Sequence, residues 1–155
     1  HGQMSDRLRE VGIEFGSTTG RPRRCGWLDI PALRLTCRLS GILALALTKL
    51  DVLVGLEKVN LCVQYRLAGK TLDEMPLDPD DLAAVEPVYE TLPGWPTLFA
   101  GGASAADKTQ LHEAAERYVA RISELVGVPL ALVSVGPGRG ETIVRDNPFV
   151  AENAR

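Results

Sequence analysis

Histidine and cysteine are scarce in this chain of 155 residues, which has two of the first and three of the second. His1 and His112 lie far apart, and Cys25, Cys37 and Cys62 form no C-x-x-C pair, so no zinc site can be read from the spacing. The odd cysteine count is read as reduced thiols filling the core of a cytoplasmic protein. Long apolar runs are also missing. The longest, Ile42 to Leu47, falls far short of the ~20 residues that cross a bilayer. No cationic segment followed by an apolar stretch opens the chain, so membrane association and export are not expected.

Equally absent are the Walker pattern G-x-x-x-x-G-K-[ST], the nucleophile elbow G-x-S-x-G and any metal-spaced histidines. Nothing here activates a nucleophile or grips a phosphate chain unaided. His112 lies among glutamates and arginines and reads as a surface residue rather than a catalytic base. A net charge of -3 and a pI near 5.4 exclude a surface built throughout for nucleic-acid phosphates. There is no internal repeat and no low-complexity tract.

What is present, 45% hydrophobic and 24% charged residues, is ordinary for a globular domain. Ser5 to Glu10 reads as a charged helix ended by Gly12 in a left-handed cap. A second helix starts after Asp29, its cap, with Pro31 in the first turn, Ile30, Leu33 and Cys37 on one face, and Gly41 as its stop. Ile42 to Leu47 has no polar alternation and is expected as a strand buried on both faces; Leu130 to Val133 reads likewise. Val59 to Leu67 fits a strand that turns at Ala68-Gly69-Lys70 into a partner around Thr71 to Met75. Prolines 76, 79, 87, 93 and 96 argue against long regular elements between them, and Phe99 to Ala106 reads as loop. Asp107 is the expected cap of a helix carrying Leu111, Ala114, Ala115, Tyr118, Ile122 and Leu125, ended by Gly127. The order helix, strand, hairpin, helix, strand predicts an α/β fold with a mostly parallel sheet, helices and a small antiparallel excursion.

Ligands of open α/β sheets collect beyond the carboxyl ends of parallel strands, where Thr48 to Asp51 and Ser134 to Pro137 fall. Guanine presents N1-H and its 2-amino group as adjacent donors, and an ionised Asp51 could accept both. Lys49 could lay its methylene stem on the purine face with its ammonium solvated, the lysine-x-aspartate arrangement of small GTPases. Backbone N–H groups around Ser134, Val135 and Gly136 could meet the guanine carbonyl. The plain alternative is a solvated strand end. Ser17-Thr18-Thr19-Gly20-Arg21-Pro22-Arg23-Arg24 offers hydroxyls, a flexible glycine and three cations, suited to a carboxylate or phosphate. Its alternatives are a solvated basic turn or a weak nucleic-acid contact, although no aromatic residue interleaves to stack a base.

The run Glu14 to Trp27, EFGSTTGRPRRCGW, closely resembles the aspartate-binding loop of adenylosuccinate synthetases. The resemblance continues through Leu45 to Leu53, Tyr89 to Trp95 and Val128 to Pro137, covering Arg7 to Val144 in the family's order. It implies the C-terminal part of a P-loop-NTPase-like sheet from an enzyme that joins IMP to L-aspartate using GTP and magnesium. By that similarity Ser17, Thr18, Thr19, Gly20, Arg21, Pro22 and Arg23 take aspartate, Arg21 also reaches IMP, and Arg23, Lys49, Leu50, Asp51, Ser134, Val135 and Gly136 serve GTP. The family's phosphate loop, catalytic aspartate, catalytic histidine and main magnesium contacts lie in an N-terminal portion not found here, so no catalytic residue is expected and the chain alone should be inactive.

A non-catalytic guanine-nucleotide-binding module is the alternative. Residues 1–4 are expected to be a vector-derived scar, 5–145 the family region and 146–155 a tail. A homodimer is the family's assembly. Departures from the family pattern are Gly138 where aspartate is common after the glycine-proline pair, Val54 where aspartate is common, and the short Ala100 to Ala106 segment.

Overall fold

A computed structural model describes residues 2–102 and 110–146. Helix α1 (Gln3–Val11) begins two residues before the expected Ser5, because Met4 packs against the core and Leu8 is buried. Gly12 ends it, but in right-handed geometry; the left-handed residue is Ile13, at φ 52°. Glycine is needed at 12 for space: a Cβ there would lie 2.7 Å from the Leu8 carbonyl oxygen.

Strand β1 (Leu28–Asp29) leads directly into α2 (Ile30–Ser40). Asp29 caps α2 by accepting the Ala32 N–H, Pro31 sits in the first turn, and Gly41 closes the end at φ 61°, all as the sequence indicates. The Asp29 carboxylate also accepts the Tyr65 hydroxyl, at 2.7 and 2.6 Å from its two oxygens. Tyr65 belongs to β3 (Lys58–Leu67), which lies parallel to β1 with Leu28 opposite Leu61. Ala68 and Gly69, both at positive φ, turn β3 back into β4 (Lys70–Leu72), the expected hairpin.

The proline-rich stretch is more regular than expected. Asp78 caps α3 (Pro79–Ala84), and β5 (Glu86–Pro93) runs antiparallel along β3 from Pro87 opposite Tyr65 to Pro93 opposite Lys58. Proline survives there because, among the described residues, β5 pairs only with β3, leaving its other side without a ladder to break. The antiparallel excursion is therefore the larger part of a four-stranded sheet.

β2 is Leu45–Leu47 rather than Ile42 to Leu47, and it is half-buried instead of enclosed on both faces. It forms the edge of a second, three-stranded sheet in the order β2, β6 (Leu130–Ser134), β7 (Thr142–Val144). Only β6, in the centre, meets the expectation of burial; Leu43 before β2 is 86% exposed. β2 and β6 are parallel, and β7 is antiparallel to β6. The architecture is mixed α/β, as the sequence indicates, with two parallel and three antiparallel strand pairings among the described residues.

Helix α4 (Glu113–Val126) buries Ala114, Ala115, Tyr118, Val119, Ile122 and Val126 against both sheets, and Gly127 ends it at φ 76°. Its cap is His112, whose Nδ1 accepts the Ala114 N–H at 3.2 Å, and Leu111 instead bridges to Phe99. Asp107, the expected cap, lies outside the described residues, as do much of Ala100 to Ala106 and the tail from 147. Trp95, fully buried, stacks obliquely on Tyr118 at 5.5 Å and ties the end of β5 to α4. Cys37 and Cys62 are buried in the core and Cys25 is half-buried; all three are free thiols.

Candidate functional site

The parallel register sets Leu47 opposite Val133, so the segments after β2 and β6 leave the sheet side by side. Lys49 follows in left-handed backbone at φ 61°, and Leu50–Leu53 forms a 3-10 turn that packs on β6. Leu50 and Val52 are buried and anchor this turn, while Asp51 between them stays half-buried. The alternation is what a short 3-10 turn on a sheet edge produces: the apolar neighbours point in, and the acid remains reachable.

The second tip is closed by Glu141. Its backbone carbonyl accepts the Val135 N–H at 2.8 Å, and its carboxylate accepts the Gly138 N–H at 2.6 Å. Of the amides expected to face a guanine carbonyl, that of Val135 is thereby already engaged; Gly136 N–H has no partner among the described residues. The Ser134 hydroxyl donates to the Gly136 carbonyl at 3.0 Å, holding the turn. A Cβ on Gly136 would fall 2.5 Å from the Glu141 carboxylate, so a larger residue here would displace that side chain from the Gly138 N–H.

The stretch from Glu14 to Arg23 is a small hairpin. Gly16 N–H donates to Arg21 O at 2.8 Å, Arg23 N–H to Glu14 O at 3.0 Å, and Phe15 bridges Pro22. Gly20, at φ 64°, makes the reversal, and Thr19 Oγ1 accepts the Arg21 N–H at 3.4 Å. Ser17, Thr18, Thr19, Gly20, Arg21, Pro22 and Arg23 are all exposed. Arg21 and Arg24 have no acidic partner among the described residues. A loop that exposes hydroxyls and unneutralised guanidinium groups is chemically suited to carboxylates and phosphates.

Lys49 is exposed, and its ammonium donates to the Gly12 carbonyl at 2.7 Å and to the Glu14 carboxylate. The other Glu14 oxygen accepts Arg23 Nη1 at 3.0 Å. The hydrogen bond from Lys49 lowers the Glu14 carboxyl pKa most; burial, next in size, opposes it, and the charge of Lys49 and then Arg23 lower it further. Glu14 was legible in the sequence only as the first residue of the hairpin motif; its bridging of two cations depends on the tertiary approach of segments 35 residues apart.

These three side chains line a cavity of about 380 Å³ together with Arg24, Trp27 and Thr48. A second, more open hollow is lined by Gly16, Thr19, Arg21, Pro22, Arg23 and Arg24. Arg23 and Arg24 belong to both, so the hairpin separates two adjoining spaces. Asp51 and the Ser134 to Gly136 turn line neither of them. The structure thus joins Lys49 to the hairpin and sets the two strand tips next to one another, as two linked patches rather than one closed cleft.

Fold and site together define a mixed α/β protein in which a cationic hairpin packs beside the carboxyl end of β2, one of two parallel strands. Known proteins place it further. The profile of the family described as adenylosuccinate synthetase matches residues 1–143, and the chain belongs to that family. It is 51% identical to the adenylosuccinate synthetase of Myxococcus xanthus over 96% of this chain and 34% of that protein. It is 52% identical to that of an Anaeromyxobacter species over the same shares. The solved structure of fully ligated adenylosuccinate synthetase from Plasmodium falciparum superposes with a TM-score of 0.83 at 38% identity, covering 94% of this chain and 35% of that one. The chain spans about a third of the length of the curated relatives it matches.

Proposed function

We propose that this chain is the aspartate- and guanine-recognising part of a GTP-dependent ligase that joins IMP to L-aspartate, giving adenylosuccinate on the route to AMP. The observation that carries this assignment is the parallel register of Leu47 on Val133, which sets the Lys49 to Asp51 tip beside the Ser134 to Gly136 turn. Asp51 accepts guanine N1-H and the 2-amino group, Lys49 and Leu50 flank the base, and the Gly136 N–H approaches its carbonyl. Ser17, Thr18, Thr19, Gly20, Arg21, Pro22 and Arg23 form the loop that takes the two carboxylates of aspartate. Arg21 also contacts IMP, and Arg23 reaches GTP, where a guanidinium stabilises charge developing on a transferred phosphoryl group.

Magnesium in this scheme neutralises the phosphates of GTP. The family resemblance assigns the ion mainly to the remaining two-thirds of the enzyme. The phosphate loop and the catalytic acid-base groups are assigned there too, and this chain alone is expected to be inactive. Cytoplasmic location and a homodimer follow the family; no helix among the described residues is long and apolar enough to cross a membrane.

The test is complementation. The chain is mixed with the N-terminal two-thirds of a family enzyme and supplied with IMP, GTP, magnesium and L-aspartate. Adenylosuccinate should appear only in the mixture, and Asp51→Asn should sharply lower the preference for GTP over ITP. Turnover by the chain alone would falsify the division of roles, and an unchanged preference in Asp51→Asn would remove the guanine assignment.

A further inference from the structure

The most unusual side-chain cluster is Glu14 with Arg23 and Lys49. One carboxylate serves two cations: Oε2 takes Arg23 Nη1 at 3.0 Å, and Oε1 takes Lys49 Nζ. Glu14 is also bonded to Arg23 through the backbone, and Lys49 is tied a second time to the Gly12 carbonyl at 2.7 Å. The three groups face the same cavity of about 380 Å³, where Arg24 adds a further cation with no acidic partner among the described residues.

A guanidinium and an ammonium bind carboxylate and phosphate oxygens by the same charge-assisted hydrogen bonds. Glu14 therefore occupies positions on Arg23 and Lys49 that an anionic ligand group would use.

We propose that Glu14 is a shared counter-ion of the site, standing in for a phosphate group in the ligand-free chain and released from Arg23 or Lys49 when a phosphate-bearing ligand enters the cavity. This rests on the assignment of Arg23 and Lys49 to the nucleotide. It adds a positioning residue that links the hairpin to the β2 tip, because the one carboxylate bonds Arg23 within the hairpin and Lys49 beyond β2.

Inorganic pyrophosphate is the probe, titrated onto the 155-residue chain and onto Glu14→Gln, with the Lys49 Nζ and Arg23 side-chain resonances followed by NMR. Glutamine keeps the shape and still accepts a hydrogen bond, and equal thermal melts confirm that the variant folds. Pyrophosphate should bind Glu14→Gln roughly two- to tenfold more tightly, the range set by partly exposed ion pairs that no longer compete. Adding Lys49→Gln to Glu14→Gln should shrink that gain, since one of the relieved partners is gone. Equal or weaker binding by Glu14→Gln, or no response from either protein, overturns the proposal. Pyrophosphate has no base, so a failed guanine assignment at Asp51 would leave this result standing, whereas equal pyrophosphate affinity would sink the counter-ion alone.

Discussion

The strand at the heart of the larger sheet and the strand that leads to the candidate site are enclosed very differently. On β3, Val59 and Leu61 are 0% exposed, and Cys62 and Tyr65 are buried beside them. On β2, Leu45 and Leu47 are half-buried, Ala46 is exposed, and one edge has no neighbour among the described residues. Stability is thus concentrated where β3, α2, α4 and Trp95 meet, while the edge strand β2 ahead of the candidate site contributes less to it. Substitutions in the two regions should separate accordingly.

The largest effect is expected at Gly94, where the chain crosses from β5 toward Trp95. A Cβ there would lie 1.9 Å from the Leu56 carbonyl oxygen and 2.7 Å from its carbon, backbone atoms that cannot swing aside. Gly94→Ala should cost on the order of 4 kcal/mol or more, read as a collapse of the urea midpoint. An unchanged midpoint would mean that this crossing is not close-packed.

Next comes Ile122, 1% exposed on α4, whose truncation to alanine should cost about 2–4 kcal/mol. Leu43→Ser, at 86% exposure ahead of β2, should stay within about 0.5 kcal/mol in the same urea series. Similar losses at both positions would erase the contrast between the two regions.

Alkaline pH should attack the core formed by β3 and α4. Burial, and the charge of Asp29 after it, pushes the Cys62 thiol up to about 11 from 9.0. Burial pushes Tyr118 up to about 12 from 10.0, and burial followed by the hydrogen bond to Asp29 raises Tyr65 further. Each folded value lies above its unfolded one, so the protonated form favours the fold. The stabilisation is complete below pH 9 and is lost as pH rises through about 11 and 12. Melting temperatures should hold to pH 9 and then fall, with tyrosinate absorbance at Tyr65 and Tyr118 appearing only as the chain unfolds. Early, gradual ionisation of these two tyrosines would show that the core is wetter than described.

The smallest stability effect is expected at Asp51, where replacement by asparagine should shift the melt by no more than about 0.5 kcal/mol. The same change should lower the preference for GTP over ITP by roughly tenfold or more in the complemented enzyme.

Local chemistry was the part of the structure most open to reading from sequence. Asp29, Pro31 and Gly41 marked both ends of α2, and Ala68-Gly69 marked the hairpin, because caps and turns depend on a few adjacent residues. The apolar run of β6 was equally plain. β2 was misjudged because an apolar composition reports what a strand can bury, not whether neighbours cover it. β5 was missed because its prolines read as breakers, and only the sheet order shows that it lies on an edge. His112 as a cap needed the position of Ala114, and the Glu14 bridge needed the fold itself. The hairpin and the two tips were legible as motifs; the engagement of Lys49 and of the Val135 amide was not, since both partners come from elsewhere in the chain.

Asp29 has a role in how the chain acquires its structure. Its backbone is the last step of β1, its carboxylate starts α2, and the same carboxylate receives the hydroxyl of Tyr65 from β3. Helix initiation and a strand pairing that closes a loop of more than thirty residues therefore converge on a single side chain. An eleven-residue helix is too short to persist by itself in water, so α2 and β3 should form and dissolve as one cooperative unit. Amide exchange along α2 should then slow in step with that of β3, well ahead of the protection gained by the hairpin at Ser17 to Arg23.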